Sequence, residues 1–293
     1  MFKHQFNKFS LYLYIYLFIV SIYPILFSTV SNIDGAYNKK ELFNIQLTRF
    51  KSVDDIIAHI DGIYSAKYSI KKMDTVGYVS ITSDIVKKRF FHGLSVYSFK
   101  DNWITYVFGK LFWSHLNAIV DPDDILDYPE GLCSQQTIVF LEILKRKGIQ
   151  TRWVGLGYKE GPGHFVAEVF YESNWHLYDV NMEPKWEKIV NHHKSIGYYK
   201  INPDSLYTTY EGILDKTVFY KIMQKVKYGN VNEFPAKKML LFHQLTKLLT
   251  YILPAFFLIL IIITMNRKEI PAKILKKLPI KFKKQRTESV NIN

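Results

Sequence analysis

Gly131-Leu132-Cys133-Ser134-Gln135-Gln136 is the stretch that decides the fold, because it places the only cysteine of 293 residues directly before a helical pattern. Apolar residues then recur at helical spacing, basic residues fill the last turn, and Gly148 follows as a stop signal. The apolar stripe consists of Ile138, Val139, Phe140, Leu141, Ile143 and Leu144. The sequence therefore predicts a helix that starts at Cys133.

Strands are predicted after this helix. Their ranges are Arg152 to Leu156, His164 to Tyr171 and Trp175 to Val180, with Glu172-Ser173-Asn174 as the turn between the last two. An antiparallel hairpin brings the start of the second strand close to the end of the third. With a simple three-residue turn, Asp179 lies opposite Ala167 rather than His164. A shift of register or a bulge must then make up the difference.

Cys133, His164 and Asp179 are the residue types that a nucleophilic cysteine system needs. A helix N-terminus favours the reactive thiolate, and an imidazole can take its proton and return it to a leaving group. A carboxylate on the other ring nitrogen fixes the tautomer, and the backbone N–H of Cys133 is a candidate oxyanion donor. Each residue alone also fits a structural role, such as a small buried cysteine. The order and context of all three favour catalysis.

At this point the chain resembles the transglutaminase-like superfamily. The matching segments are Gly131-x-Cys133 with its helix, Gly148-Ile149-Gln150-x-Arg152-x-Val154, Gly163-His164-Phe165-Val166-x-Glu168-Val169 and Trp175-x-Leu177-x-Asp179, within residues 90–185. The resemblance implies an α+β fold with a papain-like core, in which a helix carrying the cysteine packs on an antiparallel sheet. It implies Cys133 as nucleophile, His164 as base and acid, and Asp179 as the orienting carboxylate.

The resemblance also implies a function. Members of this superfamily act on amides, by hydrolysis or by acyl transfer, and bacterial relatives with a Gly-Leu-Cys-Ser-Gln-Gln segment are often membrane-associated and encoded near surface-polysaccharide genes. We expect a thiol enzyme acting on a peptide or other amide of an extracytoplasmic, envelope-linked or polysaccharide-linked substrate, with neither cofactor nor metal ion. The alternative is a non-enzymatic scaffold or assembly factor of an envelope or polysaccharide machine.

Uncharged apolar runs near both ends predict two transmembrane helices. Leu11 to Val30 and Leu248 to Met265 carry no charge, and about 20 apolar residues span a bilayer's hydrocarbon core. A cleaved signal peptide is the alternative for the first run, but its apolar stretch exceeds the usual ~7–15 residues and no Ala-x-Ala site follows. A buried helix is the alternative for the second.

Charge predicts the orientation of these spans. The chain has a net charge of +13, and the segment after Met265 holds nine Lys or Arg against two Glu residues, a net charge of +7. Because cytoplasmic flanks carry the excess of Lys and Arg, we expect both termini in the cytoplasm and the domain between the spans outside. Nucleic-acid binding is the rival interpretation of a basic tail, but contact with anionic membrane lipids fits a segment that follows an apolar span.

The predicted division of the chain follows from these features. It consists of a cytoplasmic N-terminus (1–10), a transmembrane helix (11–30), a helical N-terminal part of the exoplasmic domain (31–90), the transglutaminase-like core (91–185), a return segment of helices and loops (186–245), a second transmembrane helix (246–265) and a basic cytoplasmic tail (266–293). Helices are expected at Ser52 to Ser65, with Ser52 as the N-cap, and at Asp84 to Phe91 and Asp101 to Leu116.

Some features have a structural and a functional interpretation. The aromatic residues Trp103, Tyr106, Phe108, Phe112 and Trp113 are expected in the core, with Trp103 as a candidate for lining the site. The carboxylates of Asp121, Asp123 and Asp124 are expected to be solvated rather than metal ligands. Adjacent His192 and His193 cannot share a helix face as paired ligands would. The loop Lys159 to Gly163 is a candidate gate for the site.

The orientation is testable with an engineered thiol in the Cys133→Ala background. If the domain is outside, a membrane-impermeant maleimide should label Ser173→Cys in intact cells, and a reporter fused after Asn293 should behave as cytoplasmic, because the basic tail resists translocation. Labelling that requires broken membranes would place the domain in the cytoplasm instead.

Overall fold

The computed structural model describes residues 2–26, 42–68, 74–157, 163–182, 184–188 and 193–266. The chain forms two compact units, one comprising Ser28–Leu248 and the other Met1–Phe27 with Leu249–Asn293. The first unit is an α+β domain, and the second contains the apolar ends of the chain. The basic tail, residues 27–30 of the predicted first span, His192 and the candidate gate at 159–162 lie outside the described residues.

Ten α-helices and six strands occur in the described part of the chain. The helices are α1 (Phe2–Leu26), α2 (Val53–Lys67), α3 (Thr75–Arg89), α4 (Trp103–Leu111), α5 (Pro122–Leu126), α6 (Cys133–Arg146), α7 (Ile196–Ile201), α8 (Pro203–Tyr210), α9 (Lys216–Met223) and α10 (Lys237–Asn266). The strands are β1 (Phe91–His92), β2 (Glu130–Gly131), β3 (Thr151–Gly157), β4 (His164–Tyr171), β5 (Asn174–Tyr178) and β6 (Lys225–Tyr228). An antiparallel sheet has the order β5-β4-β3-β6, and β1 and β2 form a short parallel pair.

The four-stranded sheet is covered on both faces, because alternate side chains of each strand point to opposite sides. On one side Ala167 and Val169 pack into a core with α2, α3, α5 and α6. On the other side Val166 and Leu177 pack against α7, α8 and α9. This arrangement holds α6 against the sheet, with the N-terminal residue of the helix, Cys133, near the start of β4.

The turn between β4 and β5 differs from the prediction. It has two residues, Glu172 and Ser173, both with positive φ (48° and 61°), and Asn174 already belongs to β5. Such turns match the right-handed twist of the strands, which explains their preference over a looser connection. The register pairs Ala167 with Tyr178. Asp179, the next residue, therefore falls opposite Val166, one position closer to His164 than the Ala167 position that a three-residue turn would give.

The predicted helices and strands agree with the structure around the site and at α2, and differ from it in other parts of the chain. The Ser52 hydroxyl caps α2 by accepting from the Asp55 N–H at 3.1 Å, as expected. Helix α3 begins at Thr75 rather than Asp84, because packing against α2 and α6 overrides the weak helix propensity of its β-branched residues and Gly77. Helix α4 ends at Leu111, and a separate 3₁₀ turn follows at Ser114–Asn117. Strand β6 replaces part of the expected helix-and-loop return segment.

Two helices are long and apolar enough to cross a membrane. They are Lys8–Leu26 within α1 and Lys237–Asn266, which is α10. Their length and composition are consistent with a membrane protein. Helix α10 also extends beyond the apolar run predicted from the sequence, since its first 12 residues belong to the α+β unit.

Arg89 at the end of α3 is the largest fully buried side chain of the domain. Its guanidinium donates to the carbonyl oxygens of Tyr128, at 3.0 Å, and of Leu126. Burial lowers the pKa of Arg89 to about 10 against the opposing charges of Asp127 and Glu130, so the side chain stays protonated at neutral pH. The cation thus ties the segment after α5 to the end of α3.

Replacing this cation tests that role. Arg89→Ala should lower the free energy of unfolding by about 3 kcal/mol or more, because buried carbonyls lose their donors and a cavity remains. Lys88→Ala, which removes only an exposed pair with Asp84, should cost less than about 0.5 kcal/mol. Denaturant unfolding of the detergent-solubilised chain measures both. Equal unfolding midpoints for the two variants would contradict the assigned role.

Candidate active site

Cys133 occupies the first position of α6 and is partly buried. The N–H groups of a first helical turn have no acceptor within the helix, and the helix dipole places partial positive charge there. The Cys133 N–H therefore fits the role of oxyanion donor. The position predicted for the thiol from the sequence is confirmed.

Gln135 holds the start of α6 in place. Its Oε1 accepts from the backbone N–H groups of Leu132, at 3.1 Å, and Ser95, at 3.0 Å. Its Nε2 donates to the carbonyl oxygens of Ser95, at 2.8 Å, and Ile119, at 2.9 Å. The side chain is 2% exposed. These four hydrogen bonds use both donors and both acceptor lone pairs of its amide. Gln135 therefore fixes the backbone on which Cys133 sits.

Gly131 lies two positions before Cys133, at a point where neighbouring side chains leave little room. A Cβ there would lie 3.1 Å from the Gln136 side chain and 3.3 Å from the Phe90 ring. The Gln136 Nε2 also donates to the Gly131 carbonyl at 2.9 Å. The close approach of Gln136 and Phe90 thus favours glycine at this point, directly before the start of α6.

His164 and Asp179 form a buried hydrogen-bonded pair. The His164 Nε2 lies 2.6 Å from the Asp179 Oδ2, and the two residues are 4% and 2% exposed. His164 opens β4, and Asp179 directly follows β5, so the hairpin register brings them together. Because Nε2 is used by the carboxylate, Nδ1 is the ring nitrogen left for the thiol.

Asp179 receives four hydrogen bonds in total. Besides His164, the Tyr210 hydroxyl donates to Oδ2 at 2.7 Å, and the N–H groups of Asn181 and Met182 donate to Oδ1 at 2.9 and 3.0 Å. Burial acts to raise the pKa of this carboxyl, but the charge and hydrogen bond of His164 and the hydrogen bonds of Tyr210 and Asn181 outweigh it and lower the pKa. Asp179 is thus an ionised carboxylate with all its partners in place.

His164 has the opposite shift. Burial acts to lower its pKa, and the charge and hydrogen bond of Asp179, together with the hydrogen bond and charge of Cys133, outweigh burial and raise the pKa above its ordinary value. The Cys133 side chain therefore lies close enough to the imidazole to shift its pKa. The structure brings together all three residues predicted from the sequence, and the ring can hold a proton between thiol and carboxylate.

Glu168, a second buried carboxylate on the strand that begins with His164, has a different role. It is fully buried in β4, its Oε2 accepts from the Arg152 Nε at 2.7 Å, and its Oε1 accepts from the Ile196 N–H at 2.6 Å. Glu168 therefore links the sheet to the start of α7. Asp179 alone of these two carboxylates contacts the imidazole in the described structure.

Two residues of the site were missed in the sequence. Tyr210 ends α8, 31 positions after Asp179, and no local pattern distinguishes it from neighbouring tyrosines. Gln135 could have been recognised, because Gln three residues after an N-cap position is part of a helix-capping signal.

Trp103 begins α4, whose N-cap Asn102 bonds to Thr246 of α10 at 2.8 Å. The candidate role of Trp103 in lining the site gains no support from this position.

An apolar cavity of about 330 Å³ is lined by residues that flank Cys133 and His164 in the chain. Leu132 and Ser134, the chain neighbours of Cys133, line it together with Phe165, the chain neighbour of His164. Ile119 and Met239 contribute to its other walls. Its volume is within the range of small-ligand sites, and its lining suits an apolar group better than a charged one. Across the described ranges, no group of three or more His, Cys, Asp or Glu residues is placed to hold a metal ion.

Comparison with known proteins gives little beyond this geometry. No family model matches the chain, and no curated protein matches it. A solved structure described as "Crystal structure of a TGase" is 17% identical to the chain, with a TM-score of 0.31. The match covers 57% of this chain and 37% of that one. The function proposed for this chain therefore rests on the geometry of its own residues.

The hydroxyl of Tyr210 provides a test of the buried carboxylate. The stabilisation from Asp179 is present above the unfolded-state pKa and is lost as the pH falls through the lower folded-state pKa. Tyr210→Phe removes one donor and lets the folded-state pKa rise, so acid unfolding should begin at a higher pH than in the unmodified protein. Circular dichroism during an acid titration measures this.

Tyr220→Phe is the matched control. Its hydroxyl also donates to a carboxylate, that of Asp204, but this pair is exposed. Because solvent screens an exposed pair, the acid transition of Tyr220→Phe should stay where it is in the unmodified protein. An unchanged acid transition in Tyr210→Phe as well would show that Tyr210 does not stabilise the ionised carboxylate.

Proposed function

We propose that this protein is a thiol enzyme with a papain-like, transglutaminase-like core that hydrolyses or transfers the acyl group of an amide. The observation that carries the proposal is the buried His164, held by Asp179 on one ring nitrogen and within reach of the Cys133 thiol at a helix N-terminus. Nucleophile, base and orienting carboxylate each have the neighbours that their roles require.

The geometry supports a two-step reaction. The Cys133 thiol gives its proton to His164, its sulfur attacks the amide carbonyl carbon, and the Cys133 N–H donates to the resulting oxyanion. His164 gives its proton to the leaving amine as the C–N bond breaks, which leaves a thioester. Water or a second amine then attacks the thioester and loses a proton to His164. The C–S bond breaks, and an acid or a new amide is released with the free thiol.

Asp179 contributes by holding the ring. A carboxylate on Nε2 keeps the imidazole oriented with Nδ1 toward the sulfur and stabilises the imidazolium formed during the reaction. The Tyr210 hydroxyl and two backbone N–H groups in turn keep Asp179 ionised and in place. Activity should therefore depend on Asp179 less than on Cys133 and His164, since an amide at position 179 can still hold the ring.

The substrate that we propose is extracytoplasmic. The two apolar helices support attachment to a membrane, and the basic segment after Met265 favours a cytoplasmic C-terminus. On this topology both termini are cytoplasmic and the thiol domain is outside, facing a peptide or amide of the cell envelope or of a polysaccharide-linked substrate. The apolar cavity beside Cys133 would hold an uncharged part of that substrate.

Thiol reactivity tests the proposal without knowledge of the substrate. An acyl or alkyl probe should label Cys133 many-fold faster than the exposed thiol of Ser173→Cys in a Cys133→Ala background. His164→Ala should reduce labelling of Cys133 to the rate of that control, and Asp179→Asn should give an intermediate rate. Mass spectrometry over a time course measures the rate of labelling for the unmodified protein and for each of the three variants.

Activity in cells separates the enzyme from a scaffold. Cys133→Ala should abolish function while the protein remains folded and inserted, and His164→Ala should lose nearly as much, because members of one catalytic unit are not additive. A fully functional Cys133→Ala protein would contradict the proposed enzyme and favour a non-enzymatic assembly factor. A Cys133 thiol that reacts no faster than the control thiol would have the same consequence.

A further inference from the structure

Four large apolar side chains at the end of α4 are exposed. Phe108 is 42% exposed, Leu111 70%, Phe112 72% and Trp113 55%; these four residues are called the aromatic patch below. The aromatic residues of this segment were expected in the core, and for Phe108, Phe112 and Trp113 that expectation is wrong. Helix α4 buries Thr105 and Gly109 instead and turns the aromatic rings outward. A cluster of this kind marks an interaction surface.

The segment that carries the aromatic patch is fixed to α10. The Asn102 Nδ2 donates to the Thr246 Oγ1 at 2.8 Å, and the Thr105 and Thr246 hydroxyls lie 2.7 Å apart. Past the patch, the His243 Nε2 lies 2.8 Å from the Leu116 carbonyl oxygen. The two contacts of Thr246 are buried and that of His243 is partly buried, so the position of the patch along α10 is well defined.

That position lies close to the start of the apolar run. Thr246 and His243 precede Leu248, the first residue of that run, by two and five residues within α10, which corresponds to about 3 and 8 Å at a rise of 1.5 Å per residue. A 30-residue helix is about 45 Å long, whereas the hydrocarbon core is about 30 Å thick. The headgroup layer adds roughly 5–7 Å on each side. Along the chain, the residues that hold the patch therefore come directly before the apolar run.

The chemistry of the patch suits this layer. Tryptophan and other aromatic rings concentrate at the membrane–water interface, where an amphipathic ring meets headgroups and acyl chains. The Phe108 ring lies 6.2 Å from that of Phe242 on α10, and Leu241 and Leu245 are 67% and 52% exposed on the same helix. The apolar surface therefore continues from α4 onto the part of α10 that precedes the apolar run.

We propose that the aromatic patch rests in the interfacial layer of the bilayer that α10 enters. Exposed apolar groups are then removed from water, and the domain gains a second, lateral contact with the membrane besides the helix itself. The proposal does not depend on the catalytic assignment, since none of the patch residues belongs to the Cys133 site.

A fluorescent probe at position 112 tests the proposal in the full-length protein. Cys133 is the only cysteine, so Phe112→Cys in a Cys133→Ser background offers a single thiol for an environment-sensitive fluorophore. Ile201→Cys in the same background is the matched control, because Ile201 is an apolar residue on α7 that is 81% exposed. Both proteins are reconstituted in vesicles of phosphatidylcholine and phosphatidylglycerol.

The expected result is a blue-shifted emission at position 112, with several-fold stronger quenching by lipids brominated in the acyl chain than at position 201. Aqueous iodide should quench position 201 more strongly. Leu111→Cys, 70% exposed, should repeat the pattern of position 112 and guards against a local effect of one substitution. If iodide quenches positions 111 and 112 as well as 201, the patch is in water. If neither quencher reaches them, a protein surface covers the patch. Either result overturns the proposal.

Discussion

The hydrogen bond between the His164 Nε2 and the Asp179 Oδ2, 2.6 Å long and removed from solvent, is the interaction around which this domain is organised. A buried charged group costs several kcal/mol unless it is paired and hydrogen-bonded. Asp179 meets that condition through three separate parts of the fold: the β4–β5 hairpin supplies His164, the segment after β5 supplies two N–H groups, and α8 supplies Tyr210. The pair thus requires the hairpin register and the docking of α8 at once.

The thiol depends on a second set of polar contacts on the other side of the sheet. Helix α6 packs there, and Gln135 ties its first turn to Ser95 and Ile119. Sites built on rigid elements hold their geometry better than sites on loops, and here the nucleophile is on a helix and the base on a strand. The packing of α6 against the sheet therefore sets how the sulfur lies relative to the imidazole.

The first part of helix α10 has two roles within the α+β unit. Its first turn contributes Met239 to the cavity beside Cys133, and its residues His243 and Thr246 hold the segment that carries the aromatic patch. One helix thus borders the proposed substrate cavity and positions the proposed membrane contact.

Local patterns in the sequence determined the helix at Cys133, the strand that starts at His164, the cap at Ser52 and the apolar ends, because spacing, capping and hydropathy act over a few neighbouring residues. The fold alone decided the two-residue turn, strand β6, the early start of α3 and the outward-facing rings of α4. It also decided that Tyr210 completes the carboxylate's shell. These depend on contacts between residues far apart in the chain, where packing outweighs local propensity and a pattern of side chains does not reveal which neighbour will cover it.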